Sequence, residues 1–142
     1  MWRNIVLGLL TVMLAGNGVH MLVAPEHWYH SIESVPHTGP FNPHFVRDIG
    51  CAYLAAALGT AIGIWRSAWL APSAGVALAF IGAHASVHLW ELATGVDTGE
   101  HFGLVDALGI FGPAILIAIV LIAKKGARGP SGPPLAPLKE VA

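Results

Sequence analysis

The sequence predicts an all-α fold, an integral membrane four-helix bundle running up-down-up-down. Three observations carry this. Hydrophobic residues make up 55% of the 142-residue chain and charged ones 11%. That is too little charge to coat a soluble globule of this size. Four apolar runs, Ile5–Val23, Phe45–Ile64, Ala68–Leu92 and Leu104–Ala123, each approach the roughly 20 residues that a bilayer requires. Finally, the polar residues in and beside these runs fall at alternating ends, so an antiparallel bundle gathers them into one layer.

The first run follows a single basic residue, Arg3, and stays apolar to Val23. Pro25 comes directly after Ala24, and no small-residue cleavage site is evident, so the run is read as a retained span rather than a signal peptide. The connection Ala24–Pro43 holds Pro25, Pro36, Pro40 and Pro43 and is expected to be stiff. Pro25 suits the start of a short helix through Ile32, with Trp28, Tyr29 and Ile32 resting at headgroup level. Such a segment either anchors the chain or caps the polar layer, supplying His27, His30 or His37.

Asn42-Pro43 resembles the start of the second span, and a short connection around Arg66 and Ser67 leads to the third. Gly59 and Gly63 form a GxxxG pair, and Gly75, Ala79 and Ala83 repeat at four-residue spacing. Both read as helix-packing seams. Pro113 falls inside the fourth span and is expected to kink it. The domain is taken as residues 1–125. The Pro- and Gly-rich remainder, 126–142, is read as a disordered cytoplasmic tail.

Orientation follows the basic residues. Arg3, Arg66, Lys124, Lys125 and Arg128 all belong to one side. The positive-inside rule makes that side cytoplasmic, with both termini, in a multi-pass protein of a bacterial inner membrane. The polar layer then faces outward. Net charge is −1 with no basic stripe, which argues against nucleic acid. Cys51 is the single cysteine, which excludes an internal disulfide or a CxxC redox centre within one chain.

Ionisable groups in membrane spans are costly and make a default functional-site hypothesis. His84 and His88 are four apart and Glu91 three further, on one helical face. Two imidazoles on adjacent turns can share a metal ion, with Glu91 as third ligand, outer acceptor or base. The competing reading leaves His88 and Glu91 in interfacial water. His44 and Asp48 are also four apart, as further ligands or as a cap and ion pair. Arg47 has no lone pair for a metal. It is read as a charge partner for Asp48, Glu91 or Asp106, or as a substrate clamp.

Asn17, His20, His101 and Asp106 complete the expected polar network. Met13 and Met21 near His20 would suit Cu(I), but they also read as ordinary span filler. Cys51 reads as a packing residue.

The stretch GPFNPHFVRDIGCAYLAAA (Gly39–Ala57), with APEHWYHSI upstream and HASVHLWE downstream, resembles a family of small bacterial four-span proteins similar in layout to the DoxX-like group. The resemblance covers about residues 1–125 and is best at Asn42, His44, Arg47 and Asp48. It implies an association with quinone- or thiosulfate-linked membrane redox systems and carries no catalytic residue over.

Three functions remain open on the residues alone. The leading one is an auxiliary redox or metal-handling component, holding Zn, Cu, Fe or haem at His84, His88, Glu91, His44 and Asp48. Another is a metal-free acid/base enzyme acting on a lipid-like or quinone substrate. The third is a scaffold whose polar layer joins helices. Expected partners are membrane lipids, a quinone or a redox partner protein, and a second copy of the chain.

Overall fold

The computed structural model describes residues 1–95 and 107–126. Helix α1 spans Trp2–Val23 and ends where Pro25 forbids continuation. Helix α2, Pro25–Ser31, is a short crosspiece followed by a 3-10 turn at Val35–Thr38. Helix α3 spans Pro43–Trp65. A 3-10 turn at Ser67–Trp69 leads into α4, Leu70–Thr94. Helix α5 covers Gly112–Gly126 and follows a π-helical turn at Ala107–Phe111. No strand occurs among the described residues.

Local chemistry sets the boundaries. The Asn42 side chain accepts from the backbone N–H of His44 at 3.1 Å and of Phe45 at 3.2 Å, while Pro43 fills the first turn at no cost in hydrogen bonds. Gly95, with φ of 66°, closes α4 in the left-handed conformation. The ring of Pro113 would meet the carbonyl of Gly109 in a regular helix. The chain widens into the π turn there, which is the form the expected kink takes.

The helices run antiparallel to their neighbours: α1 packs on α3, α3 on α4 and α4 on α5, with a smaller α1–α5 contact. Among the described residues three helical stretches, Trp2–Val23, Pro43–Trp65 and Ser67–Thr94, are long and apolar enough to cross a membrane, and a shorter apolar stretch covers Leu108–Lys124. The first residues of the expected fourth span, and residues 96–103 before it, lie outside the described residues. So does the expected tail beyond Gly126.

Small residues face inward. A Cβ at Gly18 would stand 2.8 Å from the carbonyl oxygen of Gly50, so α1 and α3 cross here backbone to backbone. The Gly59–Gly63 seam forms as expected, since a Cβ at Gly59 would meet the Ser73 carbonyl at 2.6 Å. The Gly75–Ala79–Ala83 seam does not form. Gly75 has nothing within 4 Å of a built Cβ, and Ala79 and Ala83 are exposed. The buried face of α4 is instead Ala74, Ala77, Ile81 and Ala85.

The core joins Leu7, Leu10 and Leu14 to Tyr53, Ala56, Ile81, Ile117 and Val120. Large apolar side chains such as Leu9, Val12, Leu58, Val76, Ile119 and Ile122 point outward. That inversion suits a bilayer, where lipid is as apolar as the core. Trp2, Trp65 and Trp69 mark one end of the bundle. Exposed Trp90 marks the other, the end carrying α2, where half-buried Trp28 packs against the core. Aromatic belts at two levels are the membrane-interface signature.

Candidate functional site

A cavity of about 260 Å³ lies at the α2 end of the bundle, between α1, α3 and α4. Met13 and Met21 form part of its α1 wall, Ile49 and Tyr53 the α3 wall, His84 and His88 the α4 wall. Gly109 and Ile110 of the π turn close one side, so the Pro113 irregularity shapes the chamber. Trp28, Ile32 and Val35 roof it. The lining is mostly apolar, with a few polar groups converging on it, which is the usual composition of a small-molecule pocket.

The polar groups are held differently. Asn17 accepts from the Trp28 indole N–H at 2.8 Å and donates weakly to Met21 Sδ at 3.8 Å. The expectation that a span amide needs partners is met there, and α2 is fastened over the cavity by the same bond. Tyr53 is buried and packs edge-on against Phe80, with ring centroids 5.4 Å apart. His84 stacks on Phe80 at 6.3 Å and meets Tyr53 edge-on at 6.1 Å. Among the described residues neither the Tyr53 hydroxyl nor the His84 ring has a hydrogen-bond partner. His88 contacts His84 with centroids 4.9 Å apart, and its Nδ1 is 3.7 Å from a Glu91 carboxylate oxygen.

Other expected members stand elsewhere. His44 and Asp48 pair with each other at 3.3 Å, but their side chains are 87% and 61% exposed and do not line the cavity. His20 is bonded to His27, Nε2 to Nδ1, at 2.8 Å. His30 touches only the Tyr29 ring among aromatic contacts, and His37 is exposed. His101 and Asp106 lie outside the described residues.

Arg47 pairs with neither Asp48 nor Glu91, and its third expected partner, Asp106, lies outside the described residues. The Arg47 Nε donates to the Leu22 carbonyl at 3.3 Å, tying α3 to the end of α1, and no carboxylate pairs with it among the described residues. Asp48 is one residue on, about 100° around the helix, and faces His44 instead.

The metal-ligand set is not gathered as one cluster. No group of three or more His, Cys, Asp or Glu side chains is placed to hold an ion among the described residues. His84 and His88 remain adjacent on one face. Tyr53 was the residue missed from sequence. A neutral phenol in an apolar run gave one available signal, a hydroxyl at span depth one turn beyond Ile49.

A sequence profile of the DoxX-like family matches residues 5–123. The chain belongs to the DoxX-like family. No curated protein and no solved structure matches it. As a DoxX-like chain with apolar helices it is a membrane protein. The chamber in this family member offers a hydroxyl and an imidazole against an apolar wall. Such groups can donate a hydrogen bond to a carbonyl, or exchange a proton with a bound hydroxyl.

Proposed function

We propose that this DoxX-like protein binds one small, mostly apolar molecule bearing a carbonyl or hydroxyl group, in the class of a quinone headgroup or a lipid-like ring. Tyr53 and His84 hydrogen-bond its polar atom. The observation that carries this is the cavity of about 260 Å³ lined by both side chains, neither of which has a hydrogen-bond partner among the described residues. No fully buried side-chain polar atom lacks a partner among the described residues, so these two groups open onto the cavity, where a ligand atom can take the hydrogen bond. His88, backed by Glu91, is positioned to pass a proton to or from the chamber, which supports acid/base or redox-linked chemistry. Trp28 lines the cavity, so a short-chain quinone analogue should quench its fluorescence saturably. Quenching that rises linearly with concentration, as for bulk partition into detergent, counts against the reading.

A metal reading rests on the 4.9 Å approach of His84 and His88. Two imidazoles fall short of the three protein ligands of a catalytic zinc site. Zinc, copper, iron or haem would therefore draw further donors from water or from residues outside the described ones. Elemental analysis of protein purified without chelator or affinity-tag metal, beside the His84→Ala/His88→Ala variant, tests it. Equal metal content in the two samples removes it.

For localisation we infer a bacterial inner membrane with both termini cytoplasmic, on the placement of Arg3, Arg66 and Lys124 at the end opposite α2. A fluorescent protein fused after the C-terminus should mature, and a periplasm-dependent phosphatase fused there should stay inactive.

A further inference from the structure

A second concavity, independent of the cavity above, opens on the outside of the same end. Pro25, Glu26 and His27 form one wall of this groove of about 530 Å³, and Phe41, Pro43 and Arg47 the other. It carries one charge of each sign. Glu26 and Arg47 pair neither with each other nor with any other side chain among the described residues. Yet the chain is sparing with charge, at 11% of its residues. Arg47 is also the only Lys or Arg at this end among the described residues, the rest lying at the opposite end.

The Nε–Leu22 bond uses one Arg47 nitrogen and leaves the two terminal ones for a ligand. A guanidinium fork matches a phosphate by two parallel hydrogen bonds. A free carboxylate in the same groove calls for a cation that donates N–H bonds. On α3 beyond Arg47, Cys51, Ala55 and Leu58 are exposed at helical spacing, an uncharged track leading into the membrane. The groove lies at the α2 end of the bundle, which exposed Trp90 also marks, and the interfacial preference of tryptophan puts that end near headgroup level.

We propose that this groove binds the headgroup of a zwitterionic phospholipid of the phosphoethanolamine class. Arg47 takes the phosphate, Glu26 takes the primary ammonium, and an acyl chain follows the α3 track. A choline headgroup lacks N–H donors for Glu26, and a glycerol headgroup lacks the cation.

The test is native mass spectrometry of the full chain in mild detergent, titrated with phosphatidylethanolamine, phosphatidylglycerol and phosphatidylcholine of identical acyl chains. Wild type should retain the ethanolamine lipid about tenfold better than either other lipid. Glu26→Gln should erase the preference over phosphatidylglycerol. Arg47→Gln should weaken all three, and Arg47→Lys should restore part of the loss. Equal retention of ethanolamine and glycerol lipids by wild type, or an unchanged ratio in Glu26→Gln, overturns the proposal. The Glu26 side chain makes no hydrogen bond or ion pair among the described residues. Its variant therefore keeps the test valid even where Arg47→Gln fails to fold. Soluble glycerophosphoethanolamine is the competing source of the same chemistry. Its failure to displace the lipid supports the membrane source, and efficient displacement overturns it.

Discussion

The Trp28 indole N–H reaches Asn17 Oδ1 at 2.8 Å and so fastens the crosspiece helix α2 onto the middle of the polar end of α1. Together with the 2.8 Å His20–His27 bond, it holds the cavity roof to α1. It also explains why an amide stands within a membrane span, where an unpaired one would be costly.

Asn17→Leu should loosen that roof. The indole loses its acceptor, and the variant is expected to be about 1 kcal/mol less stable. Trp28 should become more accessible to an aqueous quencher, measured by fluorescence against Trp65→Phe/Trp69→Phe backgrounds. Unchanged accessibility would mean that α2 is held by its other contacts, chiefly the 2.8 Å His20–His27 bond to α1.

Gly18→Leu should separate α1 from α3. The new Cβ would lie 2.8 Å from a backbone oxygen, which cannot rotate away as a side chain could. A loss of about 1–3 kcal/mol or more is expected from such overpacking, read as a lowered unfolding midpoint in a denaturing-detergent titration. Gly75→Ala meets nothing within 4 Å and should stay within about 0.5 kcal/mol of wild type.

Thr60→Val isolates the other half of the bundle. Thr60 is buried and shares a 2.8 Å hydrogen bond with Thr11 across α1 and α3. Its removal should cost about 1 kcal/mol of stability while leaving ligand binding at the opposite end unaltered. Parallel loss of quinone-analogue quenching would show the two halves to be coupled.

The bundle was legible because hydrocarbon leaves few choices. Apolar runs of span length have to be helices, and Asn42-Pro43 announced the start of α3 by its capping chemistry. Seams were harder to read. Four-residue spacing of small residues occurs on any face of a helix, and Gly75–Ala79–Ala83 landed outward, one position off the buried Ala74–Ala77–Ile81 face. The site was half legible. His84 and His88 announced themselves as imidazoles at span depth, but Tyr53 is a phenol and passes for core.

Arg47 turns away from Asp48 for a rotational reason. Adjacent residues on a helix point about 100° apart, so Asp48 looked toward His44 and Arg47 toward the end of α1. Tertiary packing, rather than sequence proximity, also decided that His44 and Asp48 stay outside the chamber.

The central claim is that Tyr53 and His84 hold a small apolar molecule, and the organic extract of purified protein tests it most directly. Wild type and the Tyr53→Phe/His84→Ala variant would be prepared identically and analysed by liquid chromatography and mass spectrometry. Each lost hydrogen bond is worth about 1 kcal/mol, or about fivefold in occupancy. The account predicts one compound near stoichiometric in wild type and strongly depleted in the variant. The same compounds in the same amounts in both samples would contradict it.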